Sequence, residues 1–348
     1  MSVIAAQTTS LRTLVRSVTT ALADDRSRVL DMSRATSLEL DPTLRLGSDG
    51  GEPVRREIRR LEGPIEARRV ERHQDTTPIR YFLDGSQRTL PVWRVGPVPI
   101  VVAVTAAGIL RRTAPDEIAL CDDTLVASLT WVVPRHTRNE ILNRIVCVLE
   151  DMGQRLRDPF EETHQEDPDL YGRIVNEYLH CLEGAYATAS NLRAAVELDL
   201  LRQWERRISP TDREGWIVVD GRLQSDIPNA IGLVKSAQAQ HLQGREAVAL
   251  FDLPIGHRTT AYALLDPDAA EQWDRTMWYL RMQNAIGQDA RHGLVRLETP
   301  AIAADIDLID HISSWVLAER APRASTDARW ATQIYPIHLL ERMLKRRI

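Results

Sequence analysis

The chain has 348 residues, enough for one large domain or two ordinary ones around a full core. Hydrophobic residues make up 43% and charged residues 27%, which excludes a disordered or fibrous chain. The formal net charge of −5 excludes a global positive field for DNA or an anionic membrane, so local arginines or a partner must supply any such attraction.

No charged segment followed by an apolar stretch opens the chain, so no secretory leader is expected. The longest apolar run, 98–110, contains Pro99 and Gly108 and is too short to span a bilayer. Cys121, Cys147 and Cys181 are odd in number and widely spaced, which predicts a reducing compartment, the cytoplasm, and neither a disulfide framework nor a zinc site. Of the 44 basic residues only Lys235 and Lys345 are lysines. An internal lysine in so arginine-rich a chain suggests that its compact ammonium is needed.

Residues 1–35 carry Leu11, Leu14, Val15, Val18, Leu22 and Leu30 near helical spacing. A Gly/Asp/Pro-containing break follows at 41–53, and 54–73, dense in Arg and Glu, reads as a second helix with a solvated, salt-bridged face. Strand patterns then cover 79–84, 88–95 and 98–110, the mark of an antiparallel meander, and 117–133 reads as one more hairpin with Asp122-Asp123 at its turn. Helices are expected over 136–157 and most of 168–207, with a polar loop near 158–167. Strands at 216–220, 230–235, 247–265, 275–282 and 293–298 precede two helices at about 304–319 and 336–346. His257-Arg258 is expected in a turn, and Glu298 reads as structural. This order predicts an α/β fold with a mixed sheet.

Two hydrophobic runs end alike, in Leu83-Asp84-Gly85-Ser86 and Val219-Asp220-Gly221. Each reads either as a strand delivering an aspartate or as an Asp-Gly hairpin turn. Glu197 lies among Arg193, Ala194, Leu200 and Leu201 on its helix, facing inward more than a solvated glutamate should. It is a metal ligand or an ion-pair partner of Arg193. Pro336 suits the first position of a helix, placing His338 in a first turn that favours the neutral, ligating ring; on spacing alone it reads equally as a surface histidine near Arg342. Lys235, after Ile231-Gly-Leu-Val234, is placed at a strand end to steady a phosphate oxygen, or is an ordinary surface lysine.

Taken together, Leu83-Asp84-Gly85-Ser86, Glu197 within Leu192–Glu197, Val219–Leu223, Gly232–Lys235 and Tyr335–His338 resemble the NurA family, nucleases that process DNA ends. The resemblance runs from about 79 to the C-terminus and rests on five short motifs in the family's order. It implies an RNase H-like mixed sheet flanked by helices over 76–348, preceded by an N-terminal helical extension over 1–75. It further implies a 5′–3′ exonuclease and endonuclease with two Mn²⁺ or Mg²⁺ ions, which activate water and stabilise the leaving 3′ oxygen. Asp84, Glu197, Asp220 and His338 would be the metal ligands, with Lys235 beside them. A homodimer and a HerA-type hexameric ATPase partner are the expected assembly, acting in DNA repair or antiviral defence. The rival readings are a catalytically weak DNA-binding or assembly subunit of such a complex, and an RNA-directed enzyme of the wider RNase H-like group.

Overall fold

The computed structural model describes residues 13–23, 28–31, 58–71, 77–114, 117–121, 123–208, 210, 212, 214–235, 241–264, 275–285, 290–300, 305–320, 332 and 334–346. In chain order the elements are α1 (13–21), β1 (Val29–Asp31), β2 (Ile58–Arg60), β3 (Ala67–Arg69), β4 (Ile79–Val95), β5 (Val98–Ala114), β6 (Glu117–Leu120) and β7 (Val126–Val132). There follow α2 (Glu140–Asp151), β8 (Leu156–Arg157), α3 (Glu161–Glu166), α4 (Pro168–Ile174), α5 (Tyr178–Arg207), β9 (Trp216–Asp220) and β10 (Ala230–Val234). The last third comprises α6 (Arg245–Phe251), β11 (His257–Thr259), β12 (Tyr262–Leu264), β13 (Arg275–Arg281), β14 (Leu294–Pro300), α7 (Ile306–Ala318) and α8 (Tyr335–Lys345). The fold is α/β, with one large mixed sheet whose main path runs β2-β12-β13-β14-β10-β9-β4-β5-β7-β8.

The centre of the sheet explains its stability. Strand β5 is buried at every position from Val98 to Leu110, so it is apolar on both faces, as a strand covered from both sides must be. It pairs antiparallel with β4 from Tyr81–Arg111 to Val95–Val98, and Gly96, at φ 58°, supplies the left-handed step of the connecting turn. On one face Phe82, Val218, Ile231 and Leu297 pack against Ile312, Ile337 and Leu340 of α7 and α8. On the other, Tyr81, Leu83, Ile217 and Val219 pack against Leu200, Leu201 and Trp204 of α5.

Strand β9 joins β4 in parallel through α5, and β10 joins β9 in parallel through residues 221–229 alone. A parallel connection usually needs a dozen or more residues and a helix; here the loop turns back beside Gly232, whose missing side chain leaves room for Leu223.

Five local expectations are corrected. Runs 79–84 and 88–95 are one strand of 17 residues, so Asp84-Gly85 is not a turn and Asp84 is not at a strand end. Continuous pairing with β5 carries the backbone straight through the glycine. The Arg/Glu-rich segment is not helical where it is described, because β2 and β3 pair with β12 and β11, and that partnership outweighs helical propensity. Residues 54–57, 72 and 73 lie outside the described residues. Strands β6 and β7 do not form a hairpin with each other; both pair with β5. Residues 245–251, rich in good helix formers, are helix where strand was expected over 247–251. His257-Arg258 opens strand β11, and the Arg258 guanidinium is buried between Glu62 and Asp310.

The helix expected over 1–35 is present at 13–21 and has ended before β1; residues 1–12, 24–27 and 32–35 lie outside the described residues. Because β1, β2 and β3 all join the sheet, the boundary expected at 75 does not divide it. Among the described residues no helix is long and apolar enough to cross a membrane.

Candidate active site

Leu83 and Val219 lie opposite each other on β4 and β9, so Asp84 and Asp220 are the next residues on two adjacent parallel strands. Asp220 is the last residue of β9, and Gly221, at φ 118°, turns the chain away. β4 runs on. From Gly85 to Val92 the β4 edge away from β5 has no strand partner among the described residues, and Pro91 can sit there without losing a ladder bond. The strand alternation places Asp84 and Asp220 on the face of Phe82 and Val218, toward α8. Asp84 is 3% exposed; its Oδ1 accepts the Gly85 N–H at 2.8 Å, while Oδ2 is buried with no hydrogen-bond partner.

Glu197 approaches from the other face on α5. A Cβ on Gly85 would stand 2.1 Å from Glu197 Oε1, so only glycine lets this carboxylate lie directly on the β4 backbone beside Asp84. Arg193, one turn earlier, donates to Glu197 Oε1 at 2.7 Å and to Gln87 Oε1 at 3.2 Å. The ion-pair and acidic-cluster readings of Glu197 therefore coexist. Lys235, just beyond the end of β10, donates to Asp220 Oδ2 at 2.8 Å.

The electrostatics tie these groups together. Burial pushes the Asp84 carboxyl well above the usual range; the charges of Asp220, Glu197 and Glu341 add to this, and Lys235 opposes it. Glu197 is pushed up to about 7, first by burial, with Arg193 opposing and Asp220 reinforcing. Two acids that hold their protons this tightly, beside the third carboxylate of Asp220, form a site with a deficit of positive charge.

Four expected site residues, Asp84, Glu197, Asp220 and Lys235, thus meet at the end of β9. His338 lies in the first turn of α8 as expected, half-buried, with a buried Nδ1 and no hydrogen bond from its ring to the acids among the described residues. The α8 group whose charge acts on Asp84 is Glu341, which sequence reasoning missed. Its signal was the spacing His338-x-x-Glu341, which puts both side chains on one face of a helix. Glu341 also accepts Lys345 Nζ at 2.8 Å.

The donor set suits an oxygen-preferring divalent cation: three carboxylates, one with an orphaned buried oxygen, and a neighbouring imidazole nitrogen without a partner. It is a loose set. Among the described residues, the only three histidine, cysteine or acidic ligand atoms within 4.8 Å of one another belong to His136, Asp158 and Glu161. For all three acids to share a cation, the pairs with Arg193 and Lys235 must give way. No protein-family model matches this chain, and no curated protein matches its sequence.

Proposed function

We propose that the chain is a divalent-metal-dependent nuclease that cleaves DNA phosphodiesters in the crevice where β9 ends beside β4. The observation that carries this reading is the placement of Asp84 and Asp220 on adjacent parallel strands, with Glu197 laid against Gly85 from the opposite face. An antiparallel β7-β5-β4 unit continued by parallel β9 and β10 is in keeping with an RNase H-like core, although no helix separates β9 from β10.

Asp84 and Asp220 would hold Mn²⁺ or Mg²⁺, with Glu197 and His338 as further ligands. The cations would supply an activated water and stabilise the leaving 3′ oxygen. Lys235, released from Asp220, is within reach of a phosphate bound at the strand end, where its ammonium can balance charge on a non-bridging oxygen. The acidic chain has no overall attraction for DNA, which favours a translocating partner of the HerA type. A homodimer working in the cytoplasm completes the reading.

The test uses labelled single- and double-stranded DNA and RNA with Mn²⁺, Mg²⁺ or EDTA. Metal-dependent DNA cleavage is expected, and Asp84→Asn or Asp220→Asn should abolish it while leaving the circular dichroism spectrum unchanged. Cleavage by either variant at the wild-type rate would remove these residues from catalysis. Binding without cleavage would favour an assembly subunit, and cleavage of RNA alone would redirect the substrate.

A further inference from the structure

A second group of ligand atoms lies away from this crevice, at the other end of α5. Strand β8 pairs in parallel with β7, and each delivers a potential ligand just past its end: His136 after β7 and Asp158 after β8. Glu161 opens α3 a few residues on. One ligand atom from each of the three lies within 4.8 Å of the others, and His136 Nε2 is 3.1 and 3.2 Å from the two Glu161 oxygens. Ligands around a four-coordinate Zn²⁺ with bonds near 2.0–2.1 Å are themselves roughly 3.3 Å apart, so the His136–Glu161 separation suits the ion and Asp158, within 4.8 Å, would close on it.

The surroundings hold the group in place as outer-shell partners do around metal ligands. Asp158 is 9% exposed; its Oδ2 accepts from Arg135 N at 2.6 Å and from the Tyr171 hydroxyl at 2.8 Å, and its Oδ1 accepts from Phe160 N at 2.9 Å. A carboxylate has about four acceptor positions, so one remains. Tyr171 in turn accepts the His136 backbone N–H at 3.1 Å, linking two of the three residues through one buried hydroxyl. The His136 ring is fixed by stacking on His164, with centroids 4.0 Å apart and planes 3° from parallel. Both rings and Tyr171 line a cavity of about 490 Å³ whose walls include Thr137, Asn139 and Asn176.

We propose that His136, Asp158 and Glu161 form a zinc site with three protein ligands and an open fourth position, His136 reaching it from the cavity wall. One imidazole nitrogen with two carboxylate oxygens is a three-ligand set that Zn²⁺ accepts, poorer in carboxylates than the crevice. Residues of this type in ordinary surface pairs serve as the control: His180 and Glu177 form a comparable pair at 2.9 Å, with no third ligand within reach among the described residues.

The test is a Zn²⁺ titration of the full-length chain by calorimetry and by competition with a chromogenic chelator. Carrying it out in an Asp84→Asn/Asp220→Asn background removes the other acidic site, and reading metal binding keeps the result independent of any nuclease activity. One equivalent should bind, and His136→Gln or Glu161→Gln should each weaken it at least 100-fold. Tyr171→Phe should weaken it 10- to 100-fold, and His180→Gln should leave it unchanged. Both ligand positions are substantially exposed, so these variants should fold, with thermal melts as the check. Zinc affinity in His136→Gln or Glu161→Gln equal to that of the parent background, or no zinc bound in the parent background, would overturn the proposal.

Discussion

At the scale of single residues, Gly85 decides whether the acidic cluster can form. Adding one methyl group puts a Cβ 2.1 Å from Glu197 Oε1, and the strand on which it sits is locked into β5. Gly85→Ala should therefore cost about 1–3 kcal/mol in denaturant unfolding. Displacing Glu197 should also lower metal-dependent cleavage by about 100-fold or more. The double variant Gly85→Ala/Glu197→Ala should recover stability without recovering activity. The titration of Glu197 gives a second expectation. Its folded-state carboxyl is raised from 4.5 to about 7, so the folded chain holds this proton more tightly than the unfolded chain. Stability from this source is complete below about pH 4.5 and lost as pH rises through about 7. In EDTA, Glu197→Gln should gain on the wild type across that window by on the order of 2–3 kcal/mol, measured as unfolding free energy at each pH. A pH-independent difference would show that Glu197 does not titrate in the fold. The acids themselves were legible in the sequence because apolar neighbours flank each of them. Glu341 was not, because its importance arises only when α8 is laid across β4.

At the scale of elements, long periodic segments were readable and short edge strands were not. The apolar run of β5, the helix α5 and the strands β9, β10, β13 and β14 all follow from local pattern. β2 and β3, at three residues each, are strands only because β12 and β11 offer them an edge, which no local pattern reveals. Their attachment is reinforced by a buried charge. Arg258 has a fully buried side chain that donates to Glu62 at 2.7 and 3.0 Å and also pairs with Asp310 on α7. Arg258→Met should destabilise the chain by about 2–4 kcal/mol, because buried Glu62 keeps only Arg68 as a counter-charge and Asp310 loses its partner. Urea unfolding with an unchanged slope would measure that loss, and a value below about 1 kcal/mol would mean that water or rearrangement replaces the guanidinium.

At the scale of the whole molecule, the mixed sheet links N-terminal and C-terminal segments into one body. Among the described residues, β1 pairs with β4, β2 with β12 and β3 with β11. A fragment beginning at residue 76 would expose three strand edges and leave Arg258 without Glu62. It should be less soluble than the full chain and less stable by at least the ~3–5 kcal/mol of the broken ion pair. A fragment that melts at the full-length temperature would show that residues 76–348 fold as an independent unit. The sequence shows why a boundary near 75 looks natural: it separates a charge-dense segment from an apolar one. The sheet ignores that change in composition.

Both lysines of the chain pair with acids that act on Asp84: Lys235 with Asp220 and Lys345 with Glu341. Apart from the terminal amine, every primary amine in the protein therefore reports on one place. Reductive methylation with ¹³C-formaldehyde would install only two side-chain labels, one shielded at 10% exposure and one at 58%. The molecule comes with its own spectroscopic probes, and the reactivity of Lys235 is a direct measure of how often Asp220 lets it go.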